Sequence, residues 1–140
     1  MSDAYRVRLR TVGDGPTALG EAGPFTLVTD RPTAAGGAGL GFNGGQLLYL
    51  SIAACWSNDL YREAATMGIE LNAVEIMVDG DFPSRGSGST PIKIDVVVRS
   101  AAPEGRVREL IAEVERIAEI PRAIRDATAI EVRASVERPA

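Results

Sequence analysis

The sequence predicts an α+β domain, an antiparallel β-sheet packed on a long central helix, in the order β-β-α-β-β-α-β. Two stretches carry apolar residues at helical spacing, and five shorter ones are strand-like, most of them alternating apolar with polar residues. No internal repeat and no linker interrupts them, so residues 1–140 are expected to form one domain.

Tyr5, Val7 and Leu9 alternate with Arg6, Arg8 and Arg10, which is a strand with one wet face. Gly13-Asp14-Gly15-Pro16 is a turn by composition, and Phe25 to Thr29 is a second strand ending at Asp30-Arg31-Pro32. Residues 34–45 hold too many Gly for regular structure. Asn43 is a good helix N-cap, and Gln46 to Met67 reads as a helix stopped by Gly68. Its first half (Leu47, Leu48, Leu50, Ile52, Ala53, Ala54) is apolar nearly all round and calls for cover on several sides, while its second half is amphipathic.

Val74, Ile76 and Val78, then Ile92, Ile94, Val96 and Val98, alternate with polar residues or Met and predict two antiparallel strands around a loop, Phe82 to Pro91. Val107, Leu110, Ile111, Val114 and Ile117 give a second amphipathic helix. Pro121 is expected to break it, with a short helical piece over Arg122 to Ala127. Ile130, Val132, Ala134 and Val136 predict a closing strand.

With 45% apolar residues, 140 residues suffice for a core, and 24% charged residues exclude a disordered or membrane-embedded chain. The net charge of −4 and the scattered placement of the 15 basic residues argue against nucleic acid as a partner. There is no histidine, which removes an imidazole base, a Ser-His-Asp triad and a His-based metal site together. The single Cys55 allows no internal disulfide and suits a reducing compartment. Met1 to Arg6 lacks the apolar core of a signal peptide, and Leu47 to Trp56 is too short to span a bilayer. A cytoplasmic protein with no membrane partner is the expectation.

Gly39-Leu40-Gly41-Phe42-Asn43-Gly44 fits a dinucleotide fingerprint in spelling, but the preceding strand ends near Asp30 and its neighbours are antiparallel, so no nucleotide cofactor is expected. Asp79-Gly80-Asp81 sits among turn residues with no third oxygen ligand at suitable spacing, so no metal is expected there. Cys55 has two readings. It packs as a small hydrophobe, or it is a reactive thiol beside a stabilising cation.

The run Asn43-Gly44-Gly45-Gln46-Leu47-Leu48, followed by Ala53-Ala54-Cys55-Trp56, resembles the OsmC/Ohr family of osmotically induced and organic-hydroperoxide-resistance proteins. Leu27 to Arg31 with Gly36 to Gly39 is similar to the loop before that helix, and the Pro121 region and closing strand match as well. The element order read above is also that family's order. The resemblance implies an OsmC-like fold, an intertwined homodimer, and a Cys that reduces small organic hydroperoxides through a sulfenic acid. In the family's peroxidases a second Cys resolves it, a Glu and an Arg hold the thiolate, and an external dithiol re-reduces the pair.

Measured against that pattern, Gly45 stands at the Glu position and Ile120 replaces the resolving Cys of a Cys-Pro motif. Val12-Gly13-Asp14-Gly15 lacks the Arg of the family's Gly-Arg-Asp-Gly. The resemblance therefore leaves Cys55 as nucleophile and Arg31 as a substitute cation, or else as a plain solvated loop residue; Arg10 is the weaker choice. Asn43, Gln46, Trp56 and Ile120 are the pocket candidates. A one-Cys peroxidase with an external thiol reductant, a non-catalytic binder of an apolar or oxidised small molecule, and a regulatory dimer without a ligand are the three function classes.

Overall fold

The structure is a computed structural model and describes residues 5–139. Its elements are β1 (Arg8–Thr11), β2 (Ala18–Ala22), β3 (Phe25–Thr29), a 3₁₀ turn (Thr33–Ala35), α1 (Gly44–Met67), β4 (Ala73–Asp79), β5 (Lys93–Arg99), α2 (Glu104–Ile117) and α3 (Glu119–Arg125). The fold is mixed α+β, with two small antiparallel sheets ordered β1-β2-β3 and β4-β5. Contacts cluster into two compact units, one up to Ala53 with Met77–Asp95, the other Ala54–Ile76 with the chain from Val96 onward.

In the first unit β1, β2 and β3 form a meander, with Leu9 opposite Gly20 and Leu19 opposite Val28. The β2 strand, absent from the expected order, carries Ala and Gly rather than β-branched residues, so composition hides it. Turn chemistry makes it. Gly23-Pro24 joins Ala22 to its partner Phe25, and Gly23 takes φ +56°, which Gly tolerates best. Ala18 is buried beneath the sheet, whereas Leu9 and Phe25 stay exposed, so the expected dry face of β1 is wet as well. Val7, Leu9, Ala22, Phe25 and Leu27 line an apolar groove of ≈ 270 Å³ with Leu47 of α1.

The glycine-rich segment after β3 is ordered without repeating structure. Phe42 and Thr29 form an isolated parallel bridge, and a Cβ at Gly41 would collide with the Val28 carbonyl. Asn43 closes the segment with a capping box. Its Oδ1 accepts the Gln46 N–H and its own N–H donates to Gln46 Oε1, both at 2.9 Å. Helix α1 starts at Gly44, so Gly44 and Gly45 belong to its first turn. Beyond β4, Phe82 stacks on Tyr49 with ring centres 5.8 Å apart, and the Tyr49 hydroxyl meets Ser89 Oγ at 2.7 Å.

In the second unit the core is a ladder. Trp56, Leu60 and Ala64 repeat every four residues along α1, and Leu110 and Val114 of α2, with Ala118 just after it, form a second buried apolar stripe. Leu60 and Leu110 are 0% exposed, worth about 1.5–3 kcal/mol each in transfer energy. The Ile69 N–H bonds the Ala64 carbonyl across Gly68, whose φ of +69° ends α1.

Four expectations need correction. Pro121 does not break α2. The chain turns at Ala118 (ψ 119°), and Pro121 sits buried in the first turn of α3, where a missing N–H costs nothing. The short helical piece accordingly runs Glu119–Arg125, earlier than expected. The closing strand over Ile130 to Val136 is not formed among the described residues, because a ladder needs a paired backbone; Ile130, Val132 and Val136 are 89%, 82% and 95% exposed. The apolar half of α1 is also less covered than its pattern demands, with Leu50 47% exposed.

Candidate functional site

Helix spacing builds the one constellation around a nucleophile. Residues four and three apart share a face of an α-helix, so Cys55, Asp59 and Arg62 line up along α1. The Cys55 thiol is half-buried and donates to Asp59 Oδ2 at 3.8 Å. Asp59 is 6% exposed, and its other oxygen, Oδ1, meets Arg62 Nη1 at 3.0 Å. Arg62 Nε also donates to Glu63 Oε1 at 2.9 Å. That hydrogen bond and the Asp59 charge raise the guanidinium above its ordinary value, against the cost of desolvation and with help from Glu63 and Glu119. A buried carboxylate is costly unless paired, and Arg62 supplies that partner.

Trp56 follows Cys55 and is 4% exposed, yet its indole N–H finds no acceptor among the described residues. Such an orphaned donor costs about 1–3 kcal/mol and asks for an oxygen. Ile120 lies on α3 in the same unit and is 38% exposed.

The remaining candidates belong to the first unit. Asn43 and Gln46, bonded to each other's backbone, line a polar cleft of ≈ 380 Å³ with Pro32, Thr33, Ala38 and Gly41. Arg31 is exposed and enters no ion pair among the described residues; Arg10 pairs with Glu21 at 3.4 Å on the surface. What fixes the Arg31 loop is its neighbour Asp30, 5% exposed. The Thr17 hydroxyl and the N–H groups of Arg31, Ala38 and Leu40 all donate to its carboxylate, at 2.9, 2.7, 3.4 and 3.2 Å. Burial pushes that carboxyl upward, but the bonds from Arg31, Leu40, Thr17 and Ala38 outweigh it and hold the group below its ordinary value.

Sequence reasoning therefore found Cys55 but missed its partners. The signal was present as Cys-x-x-x-Asp-x-x-Arg, legible once the stretch is placed on a helix.

The comparisons bear on the same regions. The model of the OsmC family, described as OsmC-like protein, matches residues 36–133. The fold is similar to that of an OsmC-like protein from Mycoplasma pneumoniae (TM-score 0.76, 21% identity, 89% of each chain covered). It is also similar to the organic hydroperoxide resistance protein OhrB of Bacillus subtilis (TM-score 0.60, 22% identity, 88% of this chain and 91% of that one). An organic hydroperoxide resistance protein OsmC from Legionella pneumophila aligns with TM-score 0.64 at 18% identity, over 88% of this chain and 90% of that one. No curated protein matches the sequence. At these identities the structures speak for the fold, and the family model, which spans more than half of the chain, for descent. The chain belongs to the OsmC-like protein family.

Proposed function

We propose that the protein reduces small organic hydroperoxides with Cys55 as its sole nucleophile and an external thiol as resolver. The observation that carries this is the half-buried Cys55 thiol, set against a buried, Arg-paired carboxylate. Relatives of the same fold named for organic hydroperoxide resistance support the substrate class. In the reaction Cys55 attacks the distal peroxide oxygen, the O–O bond breaks, and an alcohol leaves behind a sulfenic acid. One external thiol then forms a mixed disulfide with loss of water. A second thiol releases Cys55 and departs as the oxidised disulfide. Ile120 supplies no thiol, so no bond within one chain can substitute for that reductant.

The working form in this reading is a homodimer in the reducing cytoplasm. Exposed Leu50 and Phe25, and the unpaired, alternating Ile130, Val132 and Val136, are surfaces that a second copy would cover. No helix among the described residues is long and apolar enough to cross a membrane. The apolar groove of the first sheet favours a second reading, a non-catalytic binder of an apolar molecule.

Stoichiometric cumene hydroperoxide, followed by dimedone trapping and intact-mass measurement, separates the two. The peroxidase gives one adduct on Cys55 and none on Cys55→Ser; a thiol left unmodified excludes it. Without a resolving thiol the unquenched protein should proceed to sulfinic acid.

A further inference from the structure

We infer that Asp59 is the acid–base group of the Cys55 reaction and that Arg62 is the positioning residue that holds it. This rests on the reading of Cys55 as the nucleophile.

The two oxygens of the Asp59 carboxylate have different partners. Oδ2 receives the thiol hydrogen at 3.8 Å, and Oδ1 is tied to Arg62 at 3.0 Å, so the oxygen facing sulfur is held in place by the other. Asp59 is a carboxylate at a buried position, where an Asn or a Leu would fill the helix beside Leu60 without the cost of desolvation. Trp56, next in sequence to Cys55, is 4% exposed and its indole N–H has no partner among the described residues. The charged groups coupled to Arg62 are Asp59 and Glu63 from α1 and Glu119 from α3, and Glu63 is in turn coupled to Arg116 of α2.

A carboxylate facing the sulfur opposes the build-up of negative charge on it, so the productive route moves the proton and the new S–O bond together. The thiol proton passes to Asp59 Oδ2 as the sulfur lone pair bonds the distal oxygen of the hydroperoxide. The O–O pair leaves on the alkoxide, which takes the proton from Asp59 and departs as alcohol. Sulfur has lost two electrons to the peroxide, Cys55 is a sulfenic acid, and Asp59 is again a carboxylate.

The test follows the rates of Cys55 oxidation by cumene hydroperoxide and of alkylation by iodoacetamide from pH 5.5 to 8, in the full chain and in Asp59→Asn, Arg62→Ala and Arg62→Lys. With the relay, the parent profiles are shallow. Asp59→Asn falls behind by roughly a hundredfold at pH 6 and recovers about tenfold per pH unit, as a free thiolate must take over. Arg62→Ala loses part of the rate and Arg62→Lys restores most of it. If Asp59→Asn matches or exceeds the parent with both reagents, the carboxylate is a brake or a bystander and the inference is overturned. If Asp59→Asn fails to fold, by circular dichroism, equal rates in the two Arg62 variants overturn it instead. A parent that resists the peroxide yet shows the Asp59-dependent alkylation profile refutes the peroxidase reading and leaves the relay standing.

Discussion

Helix α2 and the tail after Thr128 carry equally regular apolar patterns and meet opposite fates. In α2 the 3.6-residue spacing brings Leu110 and Val114 to 0% exposure. In the tail the two-residue spacing of Ile130, Val132 and Val136 leaves each at least 82% exposed. A helix satisfies its own backbone and needs only a surface to lie on, while a strand needs another backbone. The loop before α1 completes the contrast: it has no pattern, yet four donors converging on Asp30 fix it. Regularity states which face wants cover; satisfied hydrogen bonds and a partner surface decide whether it is ordered.

The contrast can be broken in three places. Leu110→Ala, which opens a cavity at a fully buried site, should cost about 3 kcal/mol in urea unfolding; a loss below about 1 kcal/mol would mean that α2 is held by something other than this stripe. Asp30→Asn acts locally. Amide exchange at Ala38 and Leu40 should quicken by about tenfold or more, with α2 amides unchanged. The same variant should flatten the acid limb of stability. Since folding lowers the Asp30 carboxyl, its contribution is complete above the ordinary carboxylate range near pH ~4 and fades as pH falls through the folded value. A parent and variant with identical acid profiles would deny Asp30 that role. The smallest effect on the fold belongs to Val132→Lys. It should leave circular dichroism intact and, on the proposed homodimer, move sedimentation from dimer to monomer; a variant that sediments like the parent shows that the tail is not a contact between copies.

Most of the fold was legible where periodicity and caps coincide. Asn43 and Gln46 announce α1, and the alternation of Val74, Ile76, Val78 and of Ile94, Val96, Val98 survives as half-buried faces of β4 and β5. The β2 strand was not legible, because Ala18 to Ala22 has no strand propensity of its own and is recruited by the turns on either side. At the site, Cys55 stood out as the lone thiol, but Asp59 and Arg62 looked like the solvated face of an amphipathic helix. Burial of Asp59 is a tertiary outcome, set by α1 packing on its own unit, and no spacing rule announces it.

Gly45 is held by the aromatic above it. The bare Cα there is packed against Phe82: a Cβ would lie 3.1 Å from its ring, tighter than side chains normally accept. Phe82 in turn stacks on Tyr49, which is tied to Ser89. A side chain introduced at position 45 would have to displace the ring and loosen that chain of contacts.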